Sequence, residues 1–316
     1  MSNLHYSMKG RHLKSVRDLT PEEFMRVLHT SLELKHRQLI GERLNILPGR
    51  TLGMIFQKPS LRTVVSFQVA MNQLGGSALY LGPDQVKLGE RESVEDVANV
   101  LSGYVDGIMA RVFGHNLIED LAKYSSVPVI NGLSDFEHPC QILGDMLTIW
   151  ERRGKLQGLK ITFIGDGNNV ANSIAFAAAR LGMHMTIASP EGYELKPEVI
   201  KTANADAKQF NTGGSVTQLR STKEAAKDTD VIYTDVWASM GQESEKEDRK
   251  KKFKGYIVDQ DLLSVARPDV IVLHCLPAHY GEEIAAGIPQ DPRSAIFPEA
   301  ENRLHAQKGW LALVMR

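Results

Sequence analysis

Read by the spacing of its apolar positions, the chain alternates short unbroken hydrophobic runs with longer stretches in which hydrophobic residues return every three or four positions. The first pattern suits a strand buried on both faces, and the second an amphipathic helix. Residues 51–56 form such a run, and the apolar positions of 61–74 repeat at helical spacing. Further strands are predicted at 77–81, 106–112 and 127–131. Helices are predicted at 21–37, 94–104 and 116–124, the first opened by Thr20 as cap, Pro21 at the first helical position and Glu23 three residues after the cap. Ser93 caps the next helix but one, and Gly75-Gly76 ends the helix before it. A long helical stretch then runs from Asp135 to Arg153.

Gly154-Lys155-Leu156-Gln157-Gly158 interrupts the pattern and is read as a hinge. Beyond it the alternation restarts, with strands expected at 160–165, 185–188, 215–219, 231–234 and 270–273 and helices at 170–181, 196–209, 222–227 and 259–266. Alternation of this kind predicts α/β architecture: two doubly wound domains, each a central parallel sheet flanked by helices, joined by long helices. Residues 243–254 alternate acids and bases and read as a solvated helix or mobile loop, with a lid as the alternative. The closing stretch, 299–315, reads as an amphipathic helix with a charged start and an apolar end.

Composition narrows the function classes. The 316 residues are enough for two separate cores, and 42% hydrophobic with 24% charged residues describes an ordinary globular protein. A net charge of -1 argues against a general nucleic-acid binder. Two cysteines, Cys140 and Cys275, in no metal-ligand spacing exclude a disulfide scaffold and favour a reduced, cytoplasmic setting without metal. No signal-peptide core is seen at the N-terminus, and no apolar run approaches the ~20 residues of a membrane helix.

Candidate chemistry sits where strands end. The turn after the first strand, with Lys58, Ser60, Arg62 and Thr63, leads into a helix N-terminus, where unpaired backbone N–H groups and the helix dipole favour an anion. Ser60 and Thr63 add hydroxyls and Arg62 a planar fork suited to phosphate. The plain alternative is a capped surface helix with a solvated arginine. Arg111 closes the strand at 106–112, on the edge where open α/β sheets bind ligands, or is a surface salt-bridge residue. His138 and Gln141, three apart, would share a helix face and could bond a small carbonyl group; a capping or core histidine is the alternative.

In the second half, Gly165-Asp166-Gly167-Asn168-Asn169-Val170 contains a G-x-G between strand and helix. Val170 stands where a dinucleotide fold wants its third glycine, which disfavours a nicotinamide cofactor. Asp235 with Ser239 and Met240 follows one strand, and His274-Cys275-Leu276-Pro277 follows another. Both loops are expected on the ligand edge, the second with a special turn at Pro277, a cis bond being one form; plain loops and an inert buried thiol are the alternatives.

Taken in order, Ser60-x-Arg62-Thr63, Met109-Ala110-Arg111, His138-Pro139-Cys140-Gln141, Asp166-Gly167-Asn168-Asn169, Asp235-x-x-x-Ser239-Met240-Gly241 and His274-Cys275-Leu276-Pro277 resemble the aspartate/ornithine carbamoyltransferase family over nearly the whole chain, and its ornithine branch in the Ser-Met-Gly loop. The resemblance implies that 1–137 form a carbamoyl phosphate-binding domain, 138–154 an interdomain helix, 155–295 an ornithine-binding domain, and 296–316 a helix packing back on the first. It implies that Ser60, Leu61, Arg62, Thr63 and Arg111 hold the phosphate, and that His138, Gln141 and the Cys275-Leu276 backbone hold the carbamoyl group. Asn169, Asp235, Ser239 and Met240 would bind ornithine, with Cys275, Arg111, His138 and Asp235 as catalytic groups.

The expected reaction transfers the carbamoyl group to the δ-amine of ornithine, giving citrulline and phosphate, with no cofactor or metal and in a homotrimer or a multiple of one. Three positions depart from the family pattern: Leu61 and Val64 replace Thr and Arg of Ser-Thr-Arg-Thr-Arg, and Ala278-His279-Tyr280 stands where an Arg is usual. Weaker carbamoyl phosphate binding is expected unless Arg303 or His279 supplies the cation. Leu61 also resembles the Ser-Leu-Arg-Thr of acetyl- and succinylornithine carbamoyltransferases, which makes an acylated ornithine one alternative acceptor, with putrescine another; the three departures leave a non-catalytic binding role as the alternative of a different class.

Overall fold

In the computed structural model, which describes residues 7–238 and 243–316, the chain divides into two compact units, one of the residues up to Leu147 with Asn302–Arg316, the other Thr148–Glu301. Within the first unit run α1 (Pro21–Leu39), β1 (Thr51–Phe56), α2 (Leu61–Gln73), β2 (Ser77–Leu81), α3 (Pro83–Val86), α4 (Val94–Ser102), β3 (Gly107–Arg111), α5 (His115–Tyr124), β4 (Val129–Leu133) and the start of α6 (Pro139–Arg153). The capping pattern read at Thr20 is present: its hydroxyl accepts from the Glu23 N–H, and the Glu23 carboxylate accepts from the Thr20 N–H at 3.0 Å.

The four strands lie parallel in the order β2-β1-β3-β4. Since β1 is followed by β2 on one side and β3 lies on the other, the winding reverses between β1 and β3, and a ligand crevice is expected at their carboxyl ends. That places the turn after Phe56 beside Arg111, its Cα partner in the ladder. Ile55, Ile108, Ala110 and Val129 from the sheet and Ile118 and Leu121 from α5 form part of one continuous core.

Two predicted boundaries move for local reasons. β4 begins at Val129 rather than 127, because the Ser125 hydroxyl engages both the N–H and the C=O of Val127 and Pro128 has no N–H to give the ladder. α6 begins at Pro139 rather than 135, because 134–137 close their own turn, the Ser134 N–H donating to the Glu137 C=O at 2.9 Å. His138 therefore stands just ahead of the helix.

The second unit continues α6 and adds β5 (Lys160–Ile164), α7 (Asn169–Arg180), β6 (His184–Ala188), α8 (Pro197–Gln209), β7 (Ser215–Leu219), α9 (Thr222–Ala226), β8 (Val231–Thr234), α10 (Lys246–Lys252), α11 (Gln260–Leu263), β9 (Ile271–His274) and the start of α12 (Ile296–Val314). Its parallel order is β7-β6-β5-β8-β9, so the winding reverses between β5 and β8. The unit boundary falls inside both α6 and α12. Both sheets, all parallel and flanked by helices, make the α/β class read from the sequence.

Two segments differ in character from their sequence reading. α12 is not half-wet: Glu299, Asn302, Arg303, His305, Gln307 and Lys308 are all buried along with its apolar side chains. Nor is 243–254 merely a solvated face, since Arg249 is 6% exposed. Among the described residues no helix is long and apolar enough to cross a membrane.

Candidate active site

In the first unit the α2 turn, the end of β3 and α12 bring donors to one hydroxyl. Ser60 caps α2, accepting from the Thr63 N–H at 3.4 Å, and its own hydroxyl donates to Thr63 Oγ1 at 3.1 Å. Arg303 donates to the same oxygen at 2.9 Å, and Arg111 lies at 3.5 Å from it. Thr63 is fully buried, and Arg111 and Arg303 nearly so. Arg303 reaches this point because α6 and α12 approach closely at Gly144, where a Cβ would lie 3.1 Å from the Arg303 backbone nitrogen.

The imidazole of His138 belongs to the same cluster. Burial, and after it the charges of Arg303, Arg111 and Arg62, hold its pKa well below the ordinary histidine value. It is therefore neutral at pH 7, able to donate a hydrogen bond without adding charge. Gln141 is 1% exposed and donates Nε2–H to Asp145 Oδ1 at 2.7 Å. Leu61, the first residue of α2, exposes 79% of its surface, so only its backbone could serve an anion there.

Preceding His138 is a carboxyl of a different kind. Glu137 is fully buried, accepts from the Ser15 hydroxyl, and accepts from the Val16 N–H at 2.9 Å. Burial pushes its pKa up to about 7 against the opposing pull of those bonds.

In the second unit the same edge of the sheet gathers a different set. Asp235, after β8, accepts from the Asn168 amide at 2.8 Å, from its neighbour's Val236 N–H at 2.8 Å and from the Cys275 thiol at 3.0 Å. The partner from the Asp-Gly-Asn-Asn turn is thus Asn168, whereas Asn169 opens α7. Gly167 is explained by packing, because a Cβ there would lie 2.5 Å from the backbone of Glu194. Ser239 and Met240 lie outside the described residues.

Cys275 and Leu276 are held by a relay the sequence reading missed. The Leu276 N–H donates to His274 Nδ1 at 2.9 Å, which puts the ring proton on Nε2, and Nε2 donates to Glu283 Oε1 at 3.0 Å. Both His274 and Glu283 are fully buried. Leu276 sits at φ +58° and the bond to Pro277 is cis, one of the forms read from the sequence. Asp235, His274 and Cys275 bring potential metal-ligand atoms within 4.8 Å of one another, as do His279, Glu282 and Glu283. In the first group both ring nitrogens and the thiol are already engaged, so an ion would have to displace these bonds.

Arg249 was missed as well. It bridges Asp166 Oδ2 and the Trp237 carbonyl, both at 2.8 Å, and stacks over Tyr193, tying α10 to the turn after β5 and the loop after β8. Burial first, and then Asp235 and Glu245, raise the Asp166 pKa while Arg249 opposes them. Of the two cations proposed to compensate for the departures, Arg303 joins the Thr63 cluster, whereas the His279 ring faces Glu282 and Glu283 at 4.0 and 3.8 Å. Tyr280 is 54% exposed.

Comparison with known proteins places the chain in a family. The profile described as "Aspartate/ornithine carbamoyltransferase, carbamoyl-P binding domain" matches residues 11–151, and the "Asp/Orn binding domain" of the same description matches 157–314. The chain belongs to the aspartate/ornithine carbamoyltransferase family.

Among relatives within this carbamoyltransferase family, ornithine carbamoyltransferase of Pyrococcus abyssi is 54% identical over 98% of this chain and 97% of its own length. The anabolic ornithine carbamoyltransferase of Pyrococcus furiosus is 53% identical over 98% of both chains. A solved ornithine carbamoyltransferase from Pyrococcus furiosus superposes with a TM-score of 0.95 at 53% identity, covering 98% of each chain. The enzyme from Thermus thermophilus gives 0.87 at 42% identity, covering 96% of this chain and 99% of that one. Arg303 lies in the segment matched by the second carbamoyltransferase profile yet folds into the first unit.

Proposed function

We propose that this protein is an ornithine carbamoyltransferase, moving the carbamoyl group of carbamoyl phosphate to the δ-amine of L-ornithine to give L-citrulline and phosphate. The observation that carries the reading is the convergence of Ser60, Arg111 and Arg303 on Thr63 beside a neutral His138. Guanidinium forks and hydroxyls suit a phosphate dianion, and a neutral imidazole suits a carbonyl oxygen that gains charge in the transition state.

The first unit would hold the donor through Ser60, the Leu61 backbone, Arg62, Thr63, Arg111, His138, Gln141 and Arg303. The second would hold ornithine through Asn168, Asn169, Asp235, Ser239 and Met240. An amine like that of lysine has an ordinary pKa near ~10.4, so it must lose a proton before attack. Asp235, already the acceptor for the Cys275 thiol, is the carboxylate suited to orient it and stabilise the charge that forms. The Cys275-Leu276 backbone would receive the carbamoyl group, with the His274–Glu283 pair fixing its course. A homotrimer, or a multiple of one, in the cytoplasm completes the reading.

The acceptor is tested by incubating purified protein with carbamoyl phosphate and ornithine, acetylornithine, succinylornithine or putrescine, and measuring phosphate and carbamoylated product. Citrulline from ornithine at the highest kcat/KM is expected. Preference for an acylated amine would assign Leu61, apolar and exposed at the head of α2, to acceptor choice. Carbamoyl phosphate bound without turnover of any amine would mark a binding protein.

A further inference from the structure

Neither phosphate recognition nor carbonyl recognition by the donor cluster of the first unit would tell one acyl phosphate from another. Arginine forks and hydroxyls meet phosphate oxygens, and a neutral imidazole meets a carbonyl oxygen; carbamoyl phosphate and acetyl phosphate offer both. They differ in a single substituent, an NH2 against a methyl of nearly the same size. Only a group that reads that substituent can tell them apart.

Gln141 lies one helical turn from His138, whose ring is close enough to Arg303, Arg111 and Arg62 for their charges to shift its titration. A carboxamide has a donor end and an acceptor end of similar shape, so whichever end is engaged elsewhere decides what the other presents. Here Nε2 donates to Asp145 Oδ1 at 2.7 Å, one further turn along α6. Gln141 is 1% exposed and Asp145 0%. A carboxylate can only accept, so it holds the NH2 end and turns the carbonyl Oε1 away from itself.

Resting on the transferase reading above, we propose that Asp145 is a positioning residue for the choice of donor. By fixing Gln141 with its acceptor end toward the transferred group, it selects an acyl phosphate that carries an N–H over one that carries a methyl. A buried acceptor facing a methyl loses its hydrogen bond and gains none, the situation in which polar sites discriminate most strongly.

The test compares kcat/KM for carbamoyl phosphate and acetyl phosphate, with ornithine as acceptor, in the wild type, Asp145→Asn, Gln141→Leu and the double variant. An asparagine at 145 keeps the volume but can donate, which lets the Gln141 amide turn over. The ratio of carbamoyl to acetyl transfer is expected to fall at least about tenfold in either single variant. Asp145→Asn should change nothing further in the Gln141→Leu background, because one residue acts through the other. An unchanged ratio, an equal loss with both donors, or additive effects would overturn the proposal.

Should Asp145→Asn not fold, binding to the wild type decides: phosphonoacetamide is expected to bind about tenfold tighter than its methyl ketone counterpart acetonylphosphonate, and equal affinities would overturn the proposal. Binding is read without turnover, so the two readings fail separately. Absence of product with any amine counts against the reaction, and equal analogue affinities against the orientation of Gln141.

Discussion

At the carboxyl ends of β1 and β3 the first unit gathers guanidinium groups around Thr63, while at the matching ends of β5 and β8 the second gathers an amide, a thiol and a backbone N–H around Asp235. Each place is where the winding of a parallel sheet reverses, so the backbone device is the same. The sign of the field differs, because a handful of side chains just past the strands set it. A phosphate dianion and an amine that is a cation before it reacts are the ligands such opposite fields would separate, each drawn to its own unit.

The comparison breaks if changes in the two clusters do not affect different substrates. Arg111→Met removes a guanidinium from the Thr63 cluster and is expected to lower kcat/KM by about a thousandfold, with the affinity for ornithine analogues unchanged. Steady-state kinetics with an ornithine-analogue titration checks both halves. Loss of ornithine-analogue affinity in that variant would show that the two sites are not independent.

A second prediction concerns Glu137, the fully buried carboxyl that precedes His138 in the chain. With its folded-state pKa near 7, above the unfolded carboxyl value near ~4.3, Glu137 binds its proton more tightly when folded. Its contribution is therefore favourable at low pH and is lost as pH rises toward 7. Glu137→Gln should remove about 2 kcal/mol of that loss between pH 5 and pH 8, seen as the difference in denaturation free energy between variant and wild type. His138 acts with the opposite sign, its depressed pKa adding stability as pH rises, and it cancels in the difference. A variant whose stability follows pH as the wild type does would sink the account of Glu137.

Smaller effects sharpen the contrast. Asp235→Asn keeps the shape of the second cluster but removes its charge, and kcat/KM for the amine is expected to fall about a hundredfold while inorganic phosphate binds as before. Isothermal titration with phosphate separates the two. Tyr280→Arg supplies the cation expected there from the family resemblance and should tighten carbamoyl phosphate about tenfold; unchanged affinity would count against weakened binding at this position.

Much of this was legible in the sequence because it is local. The Thr20 and Ser60 caps, the strands at 77–81, 215–219 and 231–234, and the placing of Arg111 at a strand end follow from neighbours a few residues apart. Arg303 was not legible in the same way, since its partner Thr63 is 240 residues distant and only the folded α12 brings them together. The same holds for Asn168 with Asp235 and for the capture of His274 by Glu283 across a turn.

Two signals were present and passed over. Gln141 and Asp145 stand four apart on a helix, the spacing at which an amide meets a carboxylate. Arg249 is the lone arginine among the lysines of α10, and a planar fork over a tyrosine ring is what lysine could not supply.

Thr63 carries one more consequence. Its oxygen receives hydrogens from Ser60 and Arg303 and lies within reach of Arg111, so its lone pairs are taken and its own proton is the only thing it can offer a guest. The Thr63 hydroxyl is in that sense one-way: it can give a hydrogen to an oxygen but has no lone pair left for an N–H or an ammonium. An amine that strayed against Thr63 would meet positive charge and an oxygen with no lone pair to spare, so the N–H of the transferred group is left to Gln141 to read.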